Sequence, residues 1–276
     1  MKVGFIDYYL DEWHANNYPK LFADASNGEV TVGSAYGQIT SPHSGMTSEL
    51  WCEKFGVKHA TSIEEVIEEN DCLVVLSPDN PEMHPELCAL PLASGKRTYV
   101  DKTFATSRKA AEEIFANAEA HNTPCFSSSA LRFANEIRAT EKNGIDFISS
   151  RGPGVFPIYA IHQVEPIVTL MGSDVRRVMS IGTAKAPGLL IDFADGRRAT
   201  MNTYGSGSFN LQIKYANDQV AVIPDCTDYF PNFIVELVDF FRTGDVKVDH
   251  AQTIAIMGIL EKGRMALDDP EHWYTV

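Results

Sequence analysis

Asp71-Cys72-Leu73-Val74-Val75-Leu76-Ser77-Pro78, then His84, Leu92-Ala93-Ser94-Gly95-Lys96 and Tyr99-Val100-Asp101-Lys102-Thr103-Phe104-Ala105, is the stretch that decides the fold. Leu73 to Leu76 is a continuous apolar run stopped by Ser-Pro, the pattern of a strand buried on both faces. Met83 to Ala93 has apolar residues at helical spacing and ends near Gly95, a C-cap signal. Lys96 to Val100 is a second extended run that brings a carboxylate and a lysine to its end, and a helical stretch, Ser107 to His121, follows. Ligands of open α/β sheets sit beyond the carboxyl ends of the strands. Lys102 is therefore placed to meet a substrate and a cofactor together.

The same alternation extends in both directions. Strands are expected at Lys2–Asp7, Glu29–Tyr36, Cys72–Leu76, Arg97–Val100 and Pro124–Ser127. Helices are expected at Asp11–Ala25, Thr47–Phe55, Ile63–Glu69, Pro85–Leu92 and Ser107–His121. Such alternation predicts an α/β domain over residues 1–125, a Rossmann-like doubly wound parallel sheet with right-handed crossovers.

Beyond Ser127 the pattern changes. A helix (Phe133–Asn143), a strand (Ile145–Arg151) and a helix (Pro157–Gly172) precede strands at Val175–Ala184, Gly188–Phe193, Arg197–Tyr204, Phe209–Tyr215 and Gln219–Ile223. Asp195-Gly196 is a strong hairpin signal. Helices Phe230–Arg242 and Ala251–Leu267 close the chain. Residues 126–276 thus read as an α+β domain with a mainly antiparallel sheet.

The strand-helix-strand stretch resembles the glucose-fructose oxidoreductase / inositol dehydrogenase (Gfo/Idh/MocA) family. That family has a strand ending in Thr-Pro or similar, a His several residues on, a small-Gly turn and then Glu-Lys-Pro. Here the matching positions are Ser77-Pro78, His84, Ser94-Gly95 and Asp101-Lys102-Thr103. Glu→Asp keeps the charge, whereas Pro→Thr gives up a rigid backbone. The resemblance implies NAD or NADP as cofactor, with Ser77, Pro78, His84 and Asp101 on the cofactor side and Lys102 in catalysis. It also covers the second half, through Asp239-Phe240-Phe241, Gly244-Asp245 and Asp249-His250-Ala251.

A second constellation begins at Gly152-Pro153-Gly154 and runs into an amphipathic helix carrying Ile158, Tyr159, His162, Gln163 and Glu165. It is similar to the family's helix with Asp, His four residues later and an acid three beyond. His162 matches the His and Glu165 the acid, but Ile158 stands where the first Asp would be. The family's proton relay beside the lysine is thereby reduced to Lys102 and His162. A histidine pKa near 6.5 suits proton transfer, and lysine needs a depressed pKa to do the same. Taken alone, His162 also reads as a satisfied core histidine. Arg132, after the fifth strand, reads equally as a substrate ligand or as the partner of an acid; Tyr159 and Glu165 are further substrate-side candidates.

One family feature is missing. A dinucleotide fold normally follows its first strand with G-x-G-x-x-G, so that the backbone approaches the pyrophosphate at a helix N-terminus. Here Asp7 is followed by Tyr8-Tyr9-Leu10-Asp11-Glu12-Trp13-His14. Two tyrosines fill the turn, and Asp11 reads as an N-cap with Glu12 adding charge to the first turn. At the end of the second strand, Gly37-Gln38 does not select NAD over NADP.

Composition narrows the function classes. The chain has 276 residues, is 44% hydrophobic and 22% charged, and carries a formal net charge of −14. That argues against nucleic-acid and anionic-membrane partners, which need clustered Lys/Arg. No apolar run approaches the ~18 residues of a membrane span, and Met1 to Asp7 reads as a strand instead of a signal peptide. Five scattered cysteines without a CxxC pair suit reduced thiols in the cytoplasm, with no metal site. The family resemblance implies that residues 126–276 serve substrate binding and oligomerisation, so a small-molecule substrate and a homo-oligomer are expected. Two functions stay open: an NAD(P)-dependent oxidoreductase of a sugar, polyol or related hydroxy compound, or a non-redox family member acting as a binding or partner subunit.

Overall fold

The computed structural model describes residues 1–276. Two compact units emerge, Met1–Ser127 with Ile234–Asp249, and Ser128–Phe233 with His250–Val276. Division at residue 125 would have assigned Ile234–Asp249 to the second domain, but this segment clusters with the first unit. The reason is aromatic packing. Phe240 meets Phe126 edge-on at 4.9 Å, and Phe241 meets Phe22 at 5.6 Å. Each ring buried this way contributes about 1.5–3 kcal/mol.

In chain order the first unit comprises β1 (Lys2–Asp7), α1 (Trp13–Ser26), β2 (Thr31–Gly37), α2 (Ser48–Phe55), β3 (Lys58–His59), α3 (Ile63–Glu69), β4 (Cys72–Val75), α4 (His84–Ala93), β5 (Thr98–Val100), α5 (Arg108–Ala120) and β6 (Cys125–Phe126). Its strands form one sheet in the order β3-β2-β1-β4-β5-β6, and every pairing is parallel. This is the doubly wound α/β sheet that the alternation predicts, and its order reverses between β1 and β4. Helix starts follow from their caps. Thr47, Ser62 and Ser107 accept the Leu50, Glu65 and Ala110 amides, each worth about 1 kcal/mol.

The second unit contains α6 (Asn135–Ala139), β7 (Ile145–Gly152), α7 (Phe156–Met171), β8 (Val175–Thr183), β9 (Ala186–Phe193), β10 (Arg198–Thr203), β11 (Asn210–Tyr215), β12 (Val220–Ile223), α9 (His250–Asp268) and β13 (Tyr274–Thr275); α8 (Tyr229–Thr243) starts in it and continues into the first unit. The sheet order is β12-β11-β7-β10-β9-β8-β13. Only the β7–β10 pairing is parallel. Asp195-Gly196 turns β9 into β10, as its dipeptide predicts. Alternation along β10 buries Ala199, Met201 and Thr203 and leaves Arg198, Thr200 and Asn202 on the other face. Helix α7 is buried along most of its length, and buried Gln163 bonds to the Ser150 hydroxyl and the Asn202 carbonyl. No helix is long and apolar enough to cross a membrane.

Candidate functional site

The loop after β1 turns tightly and packs inward: Tyr9 and Leu10 are buried. Glu12, not Asp11, caps α1. Its carboxylate accepts the His14 amide at 2.7 Å and the Ala15 amide. Asp11 is drawn aside, accepting the Ser44 hydroxyl at 2.5 Å and the Asn16 amide group at 3.0 Å, bonds that hold its carboxyl below the ordinary range. The ends of β1 and β2 are stitched together as well. The Gln38 and Ile39 amides donate to the Asp7 and Tyr8 carbonyls at 3.0 and 2.8 Å. Tyr9 meets the His43 ring at 5.6 Å. Leu10 packs so closely on Gly37 that a Cβ there would lie 3.2 Å from its Cγ.

These contacts bear directly on a dinucleotide. A pyrophosphate binds at the helix N-terminus after β1, where free amides and the dipole receive it. In this chain two of those amides already hold a carboxylate, and buried Asp7 and Asp101 add more acid nearby. The residues present do not fit a pyrophosphate in that position.

At the ends of β1 and β5 the acids form a cluster with His14. Asp7 is fully buried, and its Oδ2 has no hydrogen-bond partner. Burial and the neighbouring Glu12 charge push its pKa well up, against the pull of the Tyr8 and Tyr9 amides. Asp101 accepts the Tyr99 hydroxyl on Oδ1 at 3.0 Å, and its Oδ2 is likewise buried without a hydrogen bond. Lys102 follows, half-buried, and the Lys102–Thr103 peptide is cis.

The other cofactor-side candidates serve the backbone. His84 is fully buried, with Nδ1 2.9 Å from the Phe104 carbonyl and Nε2 2.5 Å from the Leu76 carbonyl. Burial holds its pKa below the ordinary value. Both ring nitrogens are committed to the chain, which corrects its assignment to the cofactor. The Ser77 hydroxyl donates to the Asn80 carbonyl at 3.0 Å, and Pro78 beside it is half-buried.

In the second unit, His162 Nδ1 lies 2.7 Å from the Ser129 hydroxyl. Tyr159 and Phe209 present ring edges to it at 5.4 and 5.7 Å. Tyr159 also covers Gly154, where any Cβ would strike its ring. Ile158, in place of the family's acid, is 53% exposed. Arg132 pairs with an acid: its Nε donates to Glu165 at 2.6 Å and its Nη1 to Gln252 at 2.6 Å. Glu165 also accepts the Ser128 hydroxyl. The substrate assignment of Glu165 is therefore corrected to that of a buried counter-ion. Sequence reasoning missed Glu12, His14 and Ser129. Glu12-x-His14 following a strand that ends in Asp7 was the available signal for the first two.

Residues 14–128 match the model of the oxidoreductase family with an NAD-binding Rossmann fold, Gfo/Idh/MocA. Over these residues the chain is similar to the Gfo/Idh/MocA family. The match begins at His14, after β1 and the loop that lacks the glycines. No curated protein sequence matches the chain. Among solved structures, a probable dehydrogenase from Thermotoga maritima is similar at TM-score 0.78 and 13% identity, covering 100% of this chain and 98% of that one. UDP-N-acetylglucosamine 3-dehydrogenase GnnA from Acidithiobacillus ferrooxidans gives 0.76 and 11%, with 96% and 97% covered. An NAD binding oxidoreductase from Klebsiella pneumoniae gives 0.73 and 12%, with 100% and 98% covered. These likenesses are of fold.

Proposed function

We infer that this chain is a Gfo/Idh/MocA member that binds a sugar, polyol or related hydroxy compound without the family's dinucleotide, as a non-redox binding or partner subunit. The observation that carries this is the Glu12 carboxylate on the His14 and Ala15 amides. Two like charges 4 Å apart repel by about 4 kcal/mol at an effective dielectric of about 20. Swinging Glu12 away instead gives up a cap worth about 1 kcal/mol and leaves the stitched β1 and β2 ends still in the way. The ligand class is that of the family resemblance and of a fold relative that acts on a UDP-sugar.

A second reading, an NAD(P)-dependent oxidoreductase of the same compounds, is favoured by the family itself and by Lys102 at the end of β5. Neither NAD nor NADP is selected, since the Gln38 side chain is turned to Glu86. Equilibrium calorimetry with the four oxidised and reduced dinucleotides separates the two. Absence of saturable heat at millimolar concentration supports the first reading; a micromolar isotherm ends it.

The five cysteines are free and buried, which supports a reducing, cytoplasmic setting. The partner we expect first is a second copy. Val220 and Val222 on β12 are 61% and 62% exposed, beside the open face of the second sheet. Sedimentation velocity at micromolar concentration is expected to give a dimer or larger, and a monomer would remove this part of the proposal.

A further inference from the structure

His14 stands among the acids at the ends of β1 and β5. Its side chain is 14% exposed, with Nδ1 3.0 Å from Glu12 Oε2 and 3.7 Å from Asp101 Oδ2. Trp13 and Tyr18 hold the ring edge-on at 5.2 and 5.4 Å. The Tyr99 hydroxyl fixes the other oxygen of Asp101. Asp7 Oδ2 and Asp101 Oδ2, both buried without a hydrogen bond, belong to the same cluster. All the contacts holding the imidazole run through Nδ1 and the ring faces, so Nε2 is left for a ligand.

We propose that His14 is an acid/base group of this chain: Glu12 and Asp101 anchor its ring through Nδ1, and Nε2 meets a hydroxyl or carbonyl oxygen of the bound compound at the carboxyl ends of β1 and β5. The ligand class rests on the hydroxy-compound reading above, whereas the presentation of Nε2 does not. A carboxylate on one imidazole nitrogen fixes the tautomer and orientation, and leaves the other nitrogen to exchange a proton with a ligand oxygen.

The groups acting on the ring are the cap residue Glu12, Tyr18 from its own helix, and Asp101 and Lys102 from the end of β5. Burial opposes the charged ring, and so does Lys102, but Asp101 and Glu12 outweigh them and raise its pKa above the ordinary histidine value. Two basic side chains, His14 and Lys102, stand against two acidic ones, Glu12 and Asp101. Such a near-neutral, acid-lined cluster suits an uncharged polyol or hydroxy-carbonyl compound and disfavours a phosphate ester.

Diethyl pyrocarbonate acylates neutral, accessible imidazole nitrogen, and mass spectrometry of the peptide carrying His14 follows it. The intact protein is modified from about pH 5 to 9, bracketing the unperturbed histidine pKa near 6.5. His14 is expected to react, with its half-maximal rate above that value, while His84 stays unmodified. Asp101→Asn and Glu12→Gln are each expected to move the half-point down by about one pH unit. No reaction at His14 in the folded protein, or a half-point unmoved in both variants, overturns the proposal. A mixture of myo-inositol, D-glucose and D-ribose is expected to slow the reaction at least threefold (~3, about 0.65 kcal/mol), and inorganic phosphate to leave it unchanged. Protection by phosphate alone, or by neither, overturns the ligand class. No dinucleotide enters these measurements, so this proposal and the function above fail separately.

Discussion

Replacing Glu165 by alanine is expected to lower the unfolding free energy by about 3–5 kcal/mol, the cost of removing one partner from a buried ion pair. Glu165 is 2% and Arg132 8% exposed, so water cannot take over the lost contacts. Glu165 accepts from Arg132 Nε at 2.6 Å and from the Ser128 hydroxyl at 3.0 Å. Arg132 Nη2 is already buried without a partner, and the variant would leave Nε in the same state. An uncompensated guanidinium would then remain inside the second unit, held only through Gln252. The surface pair Arg108–Glu112 supplies the contrast. Both side chains are about half exposed, and Glu112→Ala is expected to change stability by about 0.5 kcal/mol or less. Urea denaturation reads both, as a fall in midpoint at unchanged slope. A loss below about 1 kcal/mol for Glu165→Ala would mean that the pair is not desolvated as described.

Asp7→Asn is expected to act in the opposite direction, and only above acid pH. Folding raises the Asp7 pKa, chiefly through burial and then through Glu12. The folded chain therefore keeps a proton that the unfolded chain releases near pH 3.9. Stability falls as pH rises through that value and goes on falling until the folded pKa is passed, at about 1.4 kcal/mol per pH unit. Asparagine has no proton to lose, and its side-chain oxygen can still accept the Tyr8 and Tyr9 amides. The variant and the parent should match in stability below about pH 4, and the variant should be the more stable at neutral pH. Urea midpoints at the two pH values measure the difference. Equal destabilisation at both would show that Asp7 is ionised and satisfied in the folded state.

The parallel sheet was legible because its strands are fully buried. Cys72–Val75 is apolar at every position, and a strand read that way needs helices on both sides. The strand-end position of Asp101 and Lys102 followed from the same run, and the turn between β9 and β10 from Asp195-Gly196. The short edge strands β3 and β13 were not legible, since two residues carry no period. Nor was the return of Ile234–Asp249 to the first unit, which depends on Phe240 and Phe241 finding Phe126 and Phe22, more than a hundred residues away in sequence. The Arg132–Glu165 pair was half hidden for a similar reason: Arg132 read equally as a substrate ligand or as the partner of an acid, and only the fold brings Glu165 to it. At the start of α1 both Asp11 and Glu12 are plausible caps by residue type, and only three-dimensional competition decides. Ser44 and Asn16 claim Asp11, which leaves the helix end to Glu12. His14 was passed over because its segment was read for the glycines it lacks.

Glu12 occupies the helix end that would receive a dinucleotide pyrophosphate. Backbone amide resonances of His14 and Ala15, followed by NMR during titration with NADH, test it at the two donors concerned. Both amides are expected to shift in Glu12→Gln, and neither to move in the parent protein up to millimolar NADH. A saturating shift of both amides on adding NADH to the parent would contradict it.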